Sequence, residues 1–286
     1  MAAHAAWWLG LLLLPACVRP ISLHDVCPNR TFVPSLEQIE DAGLLEPHVT
    51  MRQGPALMAA CDGRHGLEIG GPTPHAKHIY ERVASMDNLA QFADAAHGRD
   101  SLVDGAPYAP VGARVVGRTV VGDAANLTAV VAPGSYEVLF ASHVLEHAED
   151  PLGTLLGWDN ILEPGGVLFL ILPWKEGTFD RYRAPNTLDQ LAQKYVRARA
   201  DASALEADLE QTLRTIDLSL DWGFPPDSTH DALRNRTLGS PEGREMLHWH
   251  TFDFHLLAQL FGCLNYEILG MDLIVPFHQI IVGRKL

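Results

Sequence analysis

Basic residues are scarce. Lys and Arg total 21 against 35 Asp and Glu, a net charge of −14 with histidine neutral, and no Lys/Arg-rich run occurs anywhere. Such a surface repels phosphate backbones, so nucleic acid is excluded as a partner. Cysteine is equally sparse: four residues in 286 cannot form a disulfide scaffold, and no CxxC pair or Cys/His zinc spacing occurs. Long apolar runs are missing too. The most extended, Ala5 to Val18, is uncharged, interrupted by Pro15 and short of the roughly 20 residues that a spanning helix needs, so no membrane span is expected. Internal repeats and low-complexity tracts are absent. With 47% hydrophobic and 20% charged residues the chain is globular, held by an apolar core.

The Ala5–Val18 run has the length of the apolar core of a secretory signal, with small residues near Ala16 for cleavage. Only the amino terminus and His4 supply positive charge before it, so a core helix or a mis-assigned start is the competing reading. Residues 1–22 are therefore read as a leader, which places the chain in the secretory lumen or outside the cell; without a functional leader it is cytoplasmic. Sequons at Asn29 and Asn235 fit a luminal life. Cys27 and Cys61 could then pair, or remain free buried thiols.

From residue 66 onward short apolar strands alternate with helical stretches, the pattern of an α/β protein with a mostly parallel sheet. Strands are expected at 66–70, 82–86, 118–122, 137–142 and 167–172, with closing strands at 266–269 and 279–283. Asp150-Pro151 supplies an N-cap and a first-turn proline, and Glu163-Pro164-Gly165-Gly166 a stop, so the helix between them is punctuated at both ends. Residues 186–220 look helical, and an insert is expected over about 186–245 after the fifth strand. Residues 23–65 are expected to pack as a helical lid, and 66–286 to form the main domain.

The chemistry gathers at strand ends. Glu68-Ile69-Gly70-Gly71-Pro72 runs an apolar strand into glycines, as doubly wound folds do where a ligand approaches backbone. Asp87, nineteen residues beyond Glu68, is expected at the end of the second strand to accept both ribose hydroxyls. Asp123 and Ala124 end the third strand, where an adenine amino group is read. Singly, Asp87 and Asp123 would be turn or cap residues; together they favour a nucleoside site.

At these residues the chain resembles the class I S-adenosylmethionine-dependent methyltransferases, most closely their small "type 11" branch. Ser142-His143-Val144-Leu145-Glu146-His147, followed by Ala148-Glu149-Asp150-Pro151 and Ile161-Leu162-Glu163-Pro164-Gly165-Gly166, carries the likeness. The resemblance implies a doubly wound, mostly parallel seven-stranded sheet. It also implies S-adenosylmethionine held by Glu68, Gly70, Gly71, Asp87, Asp123, Ala124, Ser142 and Glu146, and in-line methyl transfer to a small-molecule or glycan-like acceptor. Where the branch has its second and third motif glycines, this chain has Pro72 and Pro74, which removes backbone donors from the loop. That departure motivates a second reading, a binding or scaffold protein retaining the fold. An NAD-dependent oxidoreductase is a third, weakened because Gly70-Gly71-Pro72 does not satisfy G-x-G-x-x-G.

For a hydroxyl acceptor a general base is needed, and His143, His248 and His250 are the candidates. His143 could equally pack at a strand–helix junction. His248 and His250, an i, i+2 pair, would face one side and touch substrate; a metal would need a third ligand at a recognisable spacing, so none is expected. Arg181 and Arg183, flanking Tyr182, could clamp an acceptor carboxylate or phosphate, or pair with surface acids. Trp174 either walls the pocket or covers the sheet. A third sequon, Asn126, adjoins Asp123 and is expected to stay unmodified, since a glycan there would obstruct the site.

Overall fold

The computed structural model describes residues 26–27, 47–48, 59–73, 77–90, 103–110, 114, 116–201, 206–219 and 227–286. The leader, Pro74, and the sequons at Asn29 and its neighbours lie outside the described residues. Seven strands make the body of the sheet: β2 (His65–Ile69), β3 (Ser85–Ala90), β5 (Gly117–Val121), β6 (Tyr136–Ser142), β7 (Leu162–Pro173), β8 (Tyr266–Ile274) and β9 (His278–Lys285). Two-residue strands, β1 (Pro47–His48) and β4 (Pro107–Tyr108), extend its edges, giving the order β1-β8-β9-β7-β6-β2-β3-β5-β4. The expected seven strands are thus present within a sheet of nine.

The pairings β3–β5, β2–β3, β2–β6 and β6–β7 are parallel, whereas β9 runs antiparallel to both β7 and β8. The chain winds outward from β2 through β3 to β5, then returns to the other side of β2 as β6. Such a reversal opens a crevice beyond the carboxyl ends of the two strands, which is where ligands bind in open α/β sheets.

Side-chain alternation divides the core between the two faces. Leu139, Ala141, Leu168 and Leu170 join one apolar cluster, and Val138, Phe140, Val167 and Phe169 the other. All are buried, so the runs VLFA and VLFL read as continuously apolar, as strands covered on both faces do. The Asp150-Pro151 signal opens a helix of Pro151–Ile161 (α2): the Asp150 carboxylate accepts the Gly153 N–H at 3.0 Å, and Leu152, Leu155, Trp158 and Ile161 are fully buried. Trp158 also donates its indole N–H to the Ala124 carbonyl at 2.8 Å, tying α2 to the chain just beyond β5.

Preceding it, α1 (Lys77–Tyr80) is a single turn between β2 and β3. The insert comprises α3 (Leu188–Ala200), α4 (Glu206–Thr215), α5 (His230–Gly239) and α6 (Pro241–Glu245). It has a small core of its own, where Leu209, Leu213, Ile216 and Leu233 meet Leu247 and Trp249. A capping box between Thr187 and Gln190 starts α3. The last helix, α7 (Phe254–Cys263), packs on β8 and β9.

Three expectations need correction. The second strand lies at Ser85–Ala90 rather than 82–86, because Asp87 and Asn88 are buried inside it with partners that periodicity cannot reveal. Cys27 is bonded to Cys263, 236 residues away, while Cys61 is free and buried. Of the expected helical lid, the described part includes β1, which adds to β8 as an edge strand, and Cys27, fixed to the end of α7.

Candidate active site

The glycine turn after β2 is built around Glu68 rather than around an open cradle. Glu68 is fully buried and accepts hydrogen bonds from the hydroxyls of Tyr80 (2.8 Å) and Tyr108 (2.7 Å) and from the Thr73 N–H (2.9 Å). A Cβ on Gly71 would lie 2.1 Å from the Glu68 carboxyl carbon, so only glycine fits. Gly70 has φ +78°, a left-handed conformation that glycine adopts freely. The backbone donors of this turn are committed: Gly70 N–H to the Leu89 carbonyl, Gly71 N–H to Asn88 Oδ1, Thr73 N–H to Glu68. Pro72 has none. Burial and the adjoining Glu68 push both tyrosine hydroxyls above their ordinary range.

Asp87 does not stand at a strand end. It lies three residues inside β3, buried, and accepts from the Arg118 N–H (2.9 Å), the Arg118 Nε–H (3.2 Å) and the Tyr136 hydroxyl (2.8 Å). It therefore ties β3 to β5 and β6, and its oxygens are taken up by these donors. Burial first, then the hydrogen bond to Asp87, raises the Tyr136 hydroxyl above its ordinary range.

Asp123 is at the ligand edge, as its position after β5 implies. It caps a short 3-10 helix (Ala124–Ala129), accepting the Ala125 N–H at 2.8 Å. With Ala124 and Ala125 it forms one wall of a cleft of about 530 Å³. The lining continues through His143, Val144 and His147, and Glu149, Arg244 and Trp249 also border the cleft. Val144 also touches the glycine turn, since its Cγ2 lies 3.3 Å from where a Cβ on Gly70 would stand. Ser142 ends β6 immediately before His143. His143 adopts φ +54°, a conformation uncommon for a side-chain-bearing residue that turns its ring into the cleft.

Alongside that lining lies a cluster that sequence spacing did not reveal. Glu146 is 1% exposed, and neither of its carboxylate oxygens accepts a hydrogen bond. Three imidazoles surround Oε1: His143 Nδ1 at 3.4 Å, His147 Nε2 at 3.7 Å and His248 Nε2 at 4.0 Å. Burial alone would raise the Glu146 carboxyl, but His143, His147 and His248 outweigh it and hold the group at about 2. Burial lowers His147 to about 4 despite the neighbouring carboxylate. His143 Nε2 pairs with His278 Nδ1 at 2.8 Å.

His248 and His250 face different surroundings. His248 Nδ1–H donates to Asp180 at 2.6 Å. His250 Nε2 instead contacts Lys194 Nζ and the Glu149 carbonyl, each at 3.3 Å, and borders a separate cavity with Tyr182, Arg183 and Lys194. Burial, then the Lys194 charge, holds His250 well below the ordinary histidine value. The extended segment between them turns, so the pair does not share a face.

The expected arginine clamp is dispersed. Arg183 is buried and spends its guanidinium on Asp180 (2.6 Å) and on the carbonyls of His248 (2.7 Å) and Trp249 (3.0 Å). Arg181 pairs with Asp217 at 2.7 Å and lies over the ring of Tyr182, which is 73% exposed. Trp174 is half-buried and donates its backbone N–H to the Phe277 carbonyl, fastening the end of β7 to the β8–β9 turn.

The segment spanning the glycine turn, Asp123, the His143 wall and most of β7, residues 66–170, matches the family model described as a methyltransferase domain. The match covers about a third of the chain, and it is to the class I S-adenosylmethionine-dependent methyltransferase superfamily that this segment is similar. S-adenosylmethionine is the cofactor of that superfamily. Several solved methyltransferases are similar to the chain at low identity. The trans-methyltransferase CalH in complex with SAH is 16% identical, with TM-score 0.42, over 81% of this chain and 54% of that one. The S-adenosylmethionine-dependent methyltransferase from Mesorhizobium loti is 14% identical, with TM-score 0.43, over 81% and 96%. That from Aquifex aeolicus is 8% identical, with TM-score 0.39, over 80% and 86%. The chain thus spans about half the length of CalH. No curated protein matches it.

Proposed function

We propose that the methyltransferase domain binds S-adenosylmethionine in the cleft beside Asp123 and transfers its methyl group to a small-molecule or glycan-like acceptor. The observation that carries this reading is the cleft of about 530 Å³ at the carboxyl edge of the sheet, lined by Asp123, Ala124 and His143 together. The cofactor supplies a methyl group already activated on a sulfonium. The chain's task is to exclude water and align the acceptor, and positioning of this kind lowers barriers by several kcal/mol. Asp123, exposed at the cap of its helix, is suited to receive the adenine amino group. Glu68 and Gly71 act indirectly by setting the turn against Val144.

His143 is the general base in this reading. It lines the cleft with Nδ1 toward Glu146, so an acceptor hydroxyl that takes the place of His278 at Nε2 can give up its proton there, leaving an imidazolium beside a buried carboxylate. The insert borders the cleft through Arg244 and is the element that selects the acceptor. Lumenal residence is supported by the Cys27–Cys263 disulfide, because such bonds persist in oxidising compartments.

The commitment of every backbone donor in residues 70–73 favours the second reading, a binding or scaffold protein. A thermal shift separates the two. Ligand at about 100 times its Kd stabilises the fold by about 2.7 kcal/mol. A shift with S-adenosylmethionine or its demethylated product that Asp123→Ala abolishes supports methyl transfer. No shift with either supports the scaffold, and a shift with NAD alone an oxidoreductase.

A further inference from the structure

We propose that Glu146, His147 and His248 form a binding site for a divalent transition-metal ion of the zinc class, with a coordination position open toward the cleft. This goes beyond the methyl-transfer reading and does not rest on it. The donor atoms of the three side chains all lie within 4.8 Å of one another, and two of the separations are 3.7 and 4.0 Å. An ion bonded at roughly 2.0–2.2 Å to nitrogen and oxygen needs its donors roughly 3.3–3.5 Å apart, so the side chains close by a modest rotation. Two histidines and one carboxylate are a set that binds Zn²⁺ in hydrolytic enzymes and Fe²⁺ in oxygenases.

The other ring nitrogens carry the argument further. A metal-binding histidine offers one nitrogen to the ion and donates the other N–H to a carboxylate or a backbone carbonyl. Both histidines are prepared in this way. His248 Nδ1–H donates to Asp180, which Arg183 in turn holds, and His147 Nδ1–H donates to the Leu247 carbonyl. Each tautomer leaves the Nε2 lone pair directed at Glu146. Meanwhile both oxygens of the buried Glu146 carboxylate lack a hydrogen-bond donor. A cation among the three side chains supplies the partner that both oxygens lack. Three protein ligands leave a position for water or a substrate oxygen, the pattern of catalytic rather than structural sites, and His147 borders the cleft.

The test uses the full chain, stripped with chelator and titrated with Zn²⁺ and with Co²⁺ as a visible probe. One Co²⁺ per chain is expected, with the absorption bands of a nitrogen/oxygen site and no thiolate charge-transfer band, which excludes the free thiol of Cys61. The double variant His147→Ala/His248→Ala loses the bands while keeping the circular dichroism of the stripped wild type. Glu146→Gln weakens binding, Asp180→Asn weakens it about 10- to 100-fold, and His255→Ala, an exposed control, leaves it unchanged. Absence of stoichiometric Co²⁺ and Zn²⁺ in the wild type overturns the proposal. So does wild-type affinity in either the double variant or Glu146→Gln, the latter serving should the double variant not fold. Metal content is read without S-adenosylmethionine, so failure here leaves the methyl-transfer reading standing, and the reverse holds too.

Discussion

Glu68 and Glu146 are both buried acids near the carboxyl edge of the same sheet, one within β2 and the other just beyond β6, yet their surroundings are opposite. Two tyrosine hydroxyls and a backbone amide satisfy Glu68, and the glycine turn is shaped to leave room for it. Glu146 has no hydrogen-bond donor and three imidazoles at salt-bridge range. The first arrangement is closed: everything the carboxylate can accept is supplied from within, so it stabilises the fold. The second is open, and an open buried acid beside a cleft is where chemistry with something external takes place.

The contrast can be broken at its stable end. Glu68→Ala leaves the buried hydroxyls of Tyr80 and Tyr108 without their acceptor, each at a cost of about 1–3 kcal/mol. A loss of about 3–5 kcal/mol is expected in urea unfolding, and Gly71→Ala should approach it by driving a methyl into the carboxylate. Asp87→Ala removes a bracket with the same closed character and should cost about 2–3 kcal/mol. Ligand affinity of the folded fraction should not change; a collapse of affinity at full stability would return Asp87 to the ligand edge.

His250 offers a pH-dependent version. Its neutral form is favoured in the fold, so below about 6.5 the unfolded chain takes up a proton that the folded one does not. That share of stability is fully present above pH 6.5 and declines as the pH drops, with a slope up to about 1.4 kcal/mol per pH unit. His250→Gln should flatten the slope in unfolding curves recorded across this range. The smallest effect belongs to the open site: the imidazoles around Glu146 hold its carboxyl below the ordinary range, so Glu146→Gln gives up the share of stability that otherwise falls away below about pH 4.5, and the metal-free loss should stay below that of Glu68→Ala. A loss equal to that of Glu68→Ala would mean that the two acids are alike.

What could be read from the sequence was what is written locally. Asp150-Pro151 and Pro164-Gly165-Gly166 mark the ends of α2 because capping and turn chemistry act within a few residues. The runs VLFAS and VLFLIL are strands because both faces are covered, and Asp123 follows β5 at the ligand edge. What escaped depends on distant partners. Asp87 reads as a strand-end acid until Arg118 and Tyr136, 31 and 49 residues on, claim it. Arg183 reads as a free cation until the carbonyls of residues 248 and 249 fold back over it. The Glu146 cluster draws His248 from beyond the insert and Asp180 from before it, so no local spacing announces it.

The bond between Cys27 and Cys263, 236 residues apart, closes the polypeptide between them into a covalent ring. A protease that cuts the backbone once anywhere inside this ring cannot release a fragment. The nicked chain travels at full mass on a gel run without reductant and separates into two bands only after thiol treatment. Cleavage of the insert, however complete, therefore leaves the sheet and its crevice tethered to every helix they were synthesised with.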